Sequence, residues 1–226
     1  MTTFLFDGPP EAELTILLAH GAGAPMDSAS LSANAKALAA TGLRVARFEF
    51  GYMASRRTPS GKKPPPRAEA LKAEYIAAID ALAPTGRLVI GGKSLGGRVA
   101  SMIADPLYAS GRIAGLLCLG YPFHPIGKPE QLRTAHLVDL QTPALIVQGT
   151  RDLFGDRGEV SAYKLSPAIE ILWLEDGDHD LKPRKAISGL TAADHMLTMA
   201  ERVANWSRGL VDQGRRPARR EDDSGG

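Results

Sequence analysis

A serine in a tight, glycine-flanked turn is the residue of this 226-residue chain whose surroundings most clearly suggest chemistry. An apolar strand runs into Gly92-Lys-Ser94-Leu-Gly96, and a helical segment follows. This is the G-x-S-x-G pattern, in which a sharp turn from strand to helix exposes the serine hydroxyl and aims the helix N-terminus at a reacting carbonyl. Gly92 and Gly96 have to be small, because side chains there would collide with their neighbours. The turn therefore predicts Ser94 as the nucleophile of an acyl-transfer reaction.

The same residues also resemble the end of a phosphate-binding loop, G-x-x-x-x-G-K-S. Five residues rather than four separate Gly86 from Gly92. Those five residues also belong to the predicted strand, whereas a phosphate loop begins after its strand. The spacing therefore favours the serine turn.

A serine hydroxyl needs a base, and the base needs an orienting acid; in this kind of site they follow in the order serine, acid, histidine. His179 follows the apolar run Ile169–Leu174, and Asp152 follows the apolar run Ala144–Gly149. Active sites of α/β proteins collect at the carboxyl ends of such strands. We therefore predict His179 as the base and Asp152 as the acid, with Asp156 and Asp178 as alternative acids.

The other three downstream histidines fit the role of base less well. His195 falls inside the predicted last helix, and His136 lies in a polar connecting segment. His124, in Tyr-Pro-Phe-His-Pro, is predicted to line the mouth of a pocket.

Two main-chain amides are needed to stabilise an oxyanion, and one should come from the residue after the nucleophile, Leu95. The second is predicted in His20-Gly-Ala-Gly-Ala24, at Ala22 first and Gly23 next, because small residues let the backbone approach a substrate. A dinucleotide fingerprint is the rival interpretation of this loop, but Met26 stands where the third glycine belongs.

Several further residues are expected around the pocket, and one basic segment is ambiguous. The predicted pocket-lining residues are His20, Gly23, Tyr52, Met53, Lys93 and His124. Residues 51–66 form a predicted long basic loop that either favours an anionic substrate or acidic partner or is only a solvated loop. It contains Arg56, Arg57, Lys62 and Lys63.

An acidic cluster surrounds His179 and could be taken for a metal site. It lacks the glycine and the glutamate that a calcium loop requires, so a solvated turn is the better interpretation. No metal ion and no other cofactor is expected. The cluster consists of Glu175, Asp176, Asp178 and Asp180.

Short apolar runs alternate with longer amphipathic segments along the chain. Strands are predicted at 14–19, 43–50, 88–91, 113–120, 144–149 and 169–174, and helices at 29–41, 67–83, 95–104 and about 191–210. Continuous apolar strands are typical of a sheet buried on both faces. The alternation predicts a three-layer α/β sandwich with a mostly parallel, twisted sheet and helices on both faces. One domain is expected over residues 1–211, with a disordered polar tail at 212–226.

Composition excludes several other classes of protein. The formal charge of +2 is too small for the broad basic surface with which proteins bind nucleic acid. No apolar segment reaches the length of a membrane span. The first 18 residues lack the basic start and apolar core of a signal peptide. Cys118, the single cysteine, cannot form an internal disulfide. A cytoplasmic protein that does not bind nucleic acid or membranes is expected; the oligomeric state is left open.

The motifs above resemble those of the α/β-hydrolase superfamily over residues 12 to 208. The segments 21–28, 120–125 and 173–180 resemble a narrower branch, the dienelactone-hydrolase-like proteins, and the hydrolase-like domains of animal testis-expressed and NSL-complex proteins. The resemblance implies a nucleophile elbow at Ser94, an oxyanion loop at His20-Gly21, and the acid and histidine positions at Asp152 and His179. Many relatives insert a helical lid, but the 23 residues 120–142 leave no room for a cap domain.

The expected function is that of a carboxylesterase-like serine hydrolase acting on small soluble esters. An open site without a lid and the low aromatic content of 6% both argue against a large apolar acyl tunnel. Two alternatives stay open: a hydrolase-fold scaffold module without turnover, and an acyltransferase or perhydrolase that uses the same three residues.

Overall fold

The computed structural model describes residues 2–58, 64–84 and 86–215. In these ranges a seven-stranded sheet is covered by helices on both faces, which confirms the predicted three-layer α/β architecture. The strands are β1 Phe4–Asp7, β2 Leu14–Ala19, β3 Arg44–Phe48, β4 Arg87–Lys93, β5 Gly115–Leu119, β6 Ala144–Gly149 and β7 Ile169–Leu174. The helices are α1 Ala29–Ala39, α2 Gly51–Ser55, α3 Lys72–Leu82, α4 Leu95–Ser101, α5 Ala104–Ala109, α6 Arg157–Val160, α7 Lys185–Ser188 and α8 Ala192–Arg215.

The strand order is β1-β3-β2-β4-β5-β6-β7, and every neighbouring pair is parallel except β1 and β3. The register aligns the ends of the strands: Ala19 lies opposite Gly92, and Gly149 opposite Leu174. Parallel strands end at the same edge of a sheet. The loops after β2, β4, β6 and β7 are therefore neighbours.

Alternate residues of the strands pack into two separate hydrophobic cores, one on each face of the sheet, because successive side chains of a strand point to opposite faces. Leu14, Ile16 and Leu18 pack with α1 and α8 on one face. Leu17 and Ala19 point to the opposite face, where α3 and α4 pack. Burial on both faces explains why β2, β5 and β6 consist of continuous apolar runs.

Three of the predicted strands, β2, β6 and β7, have the predicted bounds, whereas β1 was not predicted. β1 is a half-exposed antiparallel edge strand, and its Phe6 lies partly in solvent beneath the Arg44 guanidinium. Its apolar run, Phe4-Leu-Phe6, is only three residues long, shorter than the runs that mark the central strands. The predicted loop 51–66 begins instead as α2.

The helix predicted over 67–83 is a 3₁₀ turn, Ala68–Leu71, that continues into α3. The last helix continues past 210 to Arg215, so its final residues occupy the start of the predicted tail. Residues 216–226 lie outside the described ranges, and their predicted disorder stays a prediction. No helix of the described residues combines the length and apolar character needed to cross a lipid bilayer.

The connection between β5 and β6 is compact. Its regular structure consists of one 3₁₀ turn, Ala135–Leu137, and all of its residues are described. The fold therefore has no cap domain at this position, as predicted from the length of the connection.

Candidate active site

Ser94 occupies the turn between β4 and α4 in a strained conformation. Its φ of 50° and ψ of −112° lie in a region that non-glycine residues rarely adopt, and its N–H donates to the Leu119 carbonyl at 3.1 Å. A Cβ at Gly96 would lie 2.5 Å from the Ala19 carbonyl oxygen, too close for any side chain. The close packing of this turn on β2 therefore requires glycine after the serine, as the motif predicts.

The structure brings Ser94, His179 and Asp152 together, although they belong to three different loops. His179 Nε2 lies 2.9 Å from Ser94 Oγ, and His179 Nδ1 lies 2.8 Å from Asp152 Oδ2. Because the Asp152 carboxylate only accepts hydrogen bonds, Nδ1–H donates to it and Nε2 is left to accept the serine hydroxyl. This is the arrangement in which histidine can take the proton of an attacking serine.

Asp152 is completely buried, and two further donors fix its carboxylate. Gln148 Nε2 donates to Oδ2 at 2.9 Å, and the Phe154 N–H donates to Oδ1 at 2.9 Å. Gln148 was not predicted, because it is an ordinary polar residue in an apolar strand and carries no motif. Its burial inside β6 was the available signal, since a buried amide requires partners.

The two alternative acids are engaged elsewhere. Asp156 caps the N-terminus of α6 by accepting from the Glu159 N–H at 2.8 Å. Asp178 accepts from the N–H groups of Asp180 and Lys182 in its own loop. Neither carboxylate is within hydrogen-bonding contact of the His179 ring, so the geometry selects Asp152.

Lys93 connects the serine turn to the histidine loop. Its buried Nζ donates to the main-chain carbonyl of His179 and forms an ion pair with Asp180 at 3.5 Å. Burial lowers the pKa of Lys93, and the charges of Asp180 and Asp152 oppose that shift. Gly120, with a φ of +66°, leaves room for this contact, because a Cβ there would lie 2.8 Å from the His179 carbonyl oxygen.

Two buried side chains, His20 and Tyr52, hydrogen-bond to the loop 20–24, which is predicted to stabilise an oxyanion. His20 Nδ1–H donates to the Gly21 carbonyl at 2.6 Å, and its Nε2 accepts the Phe50 N–H at 3.1 Å. The Tyr52 hydroxyl donates to the Ala22 carbonyl at 3.2 Å. Burial lowers the pKa of His20 and raises that of Tyr52 to about 12. Both side chains are therefore neutral near pH 7 and act as fixed hydrogen-bonding groups.

A cavity of about 260 Å³ lies beside Ser94 and His179. Two of the predicted pocket-lining residues, Gly23 and Lys93, are in its wall. The Phe154 ring, which was not predicted, lies 4.2 Å from the His179 ring and forms another part of the wall. The lining residues are Gly21, Ala22, Gly23, Ala24, Ser28, Ser30, Leu31, Lys93, Ser94, Phe154, His179 and Asp180.

Four predicted lining residues are not in this wall, and the prediction was wrong for them. His20 and Tyr52 lie beneath the loop that they support, and Met53 is buried in the core. His124 is buried, with its ring nitrogens 2.8 Å from the Pro125 carbonyl and 3.2 Å from the Glu159 carboxylate. In each case the residue follows a strand end, but its side chain points into the protein.

A family model described as an alpha/beta hydrolase domain matches residues 12–208 of the chain. The chain belongs to this family. The match covers all strands except β1, together with the loops that carry Ser94, Asp152 and His179. The superfamily predicted from the serine turn and the oxyanion loop is thus confirmed.

Several solved structures share this fold at low sequence identity. A serine hydrolase without a lid from Xanthomonas campestris aligns with a TM-score of 0.63 at 17% identity, covering 91% of this chain and 88% of that one. A dienelactone hydrolase from Anabaena variabilis aligns with a TM-score of 0.67 at 17% identity, covering 92% and 91%. Est1E from Butyrivibrio proteoclasticus, with ferulic acid bound, aligns with a TM-score of 0.64 at 16% identity, covering 93% and 96%.

Charged groups near the site are largely paired within this alpha/beta hydrolase. Arg57, from the predicted basic loop, forms ion pairs with Asp27 at 2.9 Å and with Glu49 at 2.7 Å, and so links the segments that carry these residues. Lys62 and Lys63 of the same predicted loop lie outside the described residues. The Arg184 side chain donates a hydrogen bond to Asp176, and this bond lowers the pKa of the Asp176 carboxyl to about 2. No group of three His, Cys, Asp or Glu side chains within the described ranges could hold a metal ion.

Proposed function

We propose that this alpha/beta hydrolase is a serine hydrolase that cleaves carboxylic esters through an acyl-enzyme on Ser94. The single observation that carries the proposal is the continuous row of hydrogen bonds Ser94–His179–Asp152, at 2.9 and 2.8 Å, on the rim of an open cavity. A row of this kind makes an ordinary hydroxyl nucleophilic, because the base is within reach of the proton and is itself held in one tautomer.

In the proposed reaction the Ser94 hydroxyl attacks the ester carbonyl as His179 Nε2 removes its proton. The resulting imidazolium is stabilised by the buried Asp152 carboxylate and returns the proton to the alkoxy oxygen of the leaving group. The C–O bond of the ester breaks, the alcohol departs, and the acyl group stays on Ser94. Water then attacks the acyl-enzyme with His179 as base, which releases the acid and restores the serine.

The developing oxyanion is assigned to the amides of Leu95 and Ala22. Leu95 is the first residue of α4, and the N–H groups of a first helical turn have no partner within the helix. Ala22 lies in the cavity wall, on the loop held by His20 and Tyr52. Fixed donors of this kind stabilise charge without reorganising during the reaction.

The size and openness of the site favour small esters, as expected from the absence of a lid. The neighbouring dienelactone hydrolase and the ferulic-acid complex of Est1E are consistent with carboxylic substrates of modest size. The finer resemblance to the testis-expressed and NSL-complex domains stays a prediction. We also propose a cytoplasmic location, for which the buried, unpaired thiol of Cys118 is the supporting feature.

A fluorophosphonate probe and hydrolysis of p-nitrophenyl acetate test this proposal. We expect an adduct on Ser94 and its loss, together with the loss of hydrolysis, in Ser94→Ala. Ser101→Ala is the matched control, because Ser101 Oγ also lies 2.8 Å from a histidine nitrogen, Nε2 of His136, but is buried away from the cavity. It should label and react like the parent. Absence of an adduct at probe excess would instead support a scaffold role, and products formed with added alcohol or peroxide would indicate acyl transfer.

A further inference from the structure

A second cavity, of about 210 Å³, lies where α1 and α8 meet the loop that follows His179; we call it the α1–α8 cavity. It shares two wall residues, Ser30 and Asp180, with the cavity beside Ser94. The two cavities are therefore neighbours.

The wall of the α1–α8 cavity is mostly apolar, and the cavity is large enough to hold a short alkyl chain. Its apolar residues come from both helices and from the loop that follows His179 and are Ala29, Ala33, Leu181, Ala192, Met196 and Met199. An apolar protein cavity of about 150 Å³ is known to bind benzene, so 210 Å³ exceeds the space needed by a ring or a short alkyl chain. Met196 is only half-buried and unbranched, which lets it adapt to an occupant.

The direction from Ser94 to this cavity indicates which half of an ester would occupy it. In the proposed reaction His179 delivers a proton to the leaving alkoxy oxygen, so the alcohol half of the substrate lies on the side of the histidine. Residues 180–182 directly follow His179 and form part of the wall of the α1–α8 cavity. An alcohol half that extends past His179 would therefore reach this cavity.

We propose that the α1–α8 cavity is the binding site for the alcohol moiety of the substrate, an uncharged alkyl group of about four to eight carbons. This rests on the proposed function and adds a substrate class to it. The Asp180 carboxylate at the shared boundary is already paired with Lys93, so it does not require a cationic group on the substrate. The preferred substrates are therefore neutral esters of apolar primary alcohols with a small acid.

Two ester series test which half of the substrate the cavity binds. In the first, acetate esters run from methyl to octyl alcohol; in the second, methyl esters run from acetate to octanoate. We expect kcat/KM to rise about fourfold per methylene in the alcohol series until the cavity is full, which corresponds to the free energy of burying one methylene. We expect a flat profile in the acid series. A rise confined to the acid series, or no dependence in either, would overturn the inference.

Two neighbouring alanines of α8 provide a matched pair of variants. Both alanines are exposed, but Ala192 is in the cavity wall and Ala193 is outside it. Ala192→Trp should remove most of the rise in kcat/KM from methyl to octyl acetate, and Ala193→Trp should keep the chain-length profile of the parent. Ala33→Phe, which fills the cavity from α1, should act like Ala192→Trp. Equal profiles in all four proteins would contradict the assignment.

Failure of this inference can be told apart from failure of the proposed function. If methyl acetate is hydrolysed and Ser94 is labelled by the probe, the proposed function stands whatever the dependence on chain length. If methyl acetate is not hydrolysed and Ser94 is not labelled, the proposed function itself is wrong.

Discussion

The Lys93 ammonium donates to the main-chain carbonyl of His179 and so joins the residue before the nucleophile to the residue assigned as its base. This bond links the end of β4 to the loop after β7, two elements that β5 and β6 separate in the sheet. Lys93 itself is not assigned a chemical step. We infer that it is a positioning residue that keeps His179 Nε2 facing Ser94.

Lys93→Met should therefore lower kcat about tenfold to a hundredfold and leave KM within a factor of about two, because a small displacement of the base slows the chemistry more than binding. Steady-state kinetics on p-nitrophenyl acetate measures the split. Asp180→Asn, which keeps the Lys93 bond to the carbonyl, is the control and should retain most of kcat. A change confined to KM would show that Lys93 serves binding instead.

Asp152→Asn should reduce kcat by about 10⁴-fold, since an amide no longer holds the imidazole in the tautomer that accepts the serine proton. The rate of labelling by a fluorophosphonate should fall with it. Asp156→Asn is the matched control, because Asp156 caps α6 and does not contact His179. Its activity should be unchanged; a loss of rate in Asp156→Asn equal to that in Asp152→Asn would argue against the assigned acid.

Gly96→Ala should destabilise the fold by about 3 kcal/mol or more, because the new Cβ would lie 2.5 Å from the Ala19 carbonyl oxygen and 2.7 Å from that of His20. Urea denaturation measures the change. Gly23→Ala provides the comparison, since a Cβ there meets no atom within 4 Å, and its effect should stay within about 0.5 kcal/mol. Equal stabilities would show that the serine turn can relax away from β2.

His20 should make the protein less stable in mild acid. Its pKa is lowered in the folded state, mainly by burial, so the unfolded chain binds a proton more readily. The stabilising contribution of neutral His20 is fully present above its ordinary pKa of 6.5 and decreases as the pH falls below that value.

Unfolding free energies at pH 7.5 and 5.5 test this effect against His20→Gln, which cannot gain a proton but retains an acceptor for the Phe50 N–H. The parent should lose more stability between the two pH values than the variant does. Other titrating groups are common to both proteins and cancel in the comparison. Identical losses would show that His20 does not titrate differently on folding.

The amino-acid sequence alone determined the class of fold and the identity of the central candidate residues. Runs such as Ala144–Gly149 are buried on both faces, and that burial leaves a local signal in the sequence. The serine turn is also local, because the strand, the two glycines and the helix are contiguous. Ser94, Asp152 and His179 each come just past a predicted strand, which is enough to place them at one edge of a parallel sheet.

Only the tertiary structure decided how the side chains of that edge are used. It placed Asp152, rather than Asp156 or Asp178, against the imidazole, and it turned His124 and Met53 away from the cavity. Lys93 acts on a partner that is distant in the chain, and Gln148 acts on nearby Asp152 but carries no motif of its own. Whether a loop side chain faces the cavity or the core depends on rotations set by packing against other elements, and such long-range contacts leave no periodic or local trace in the sequence.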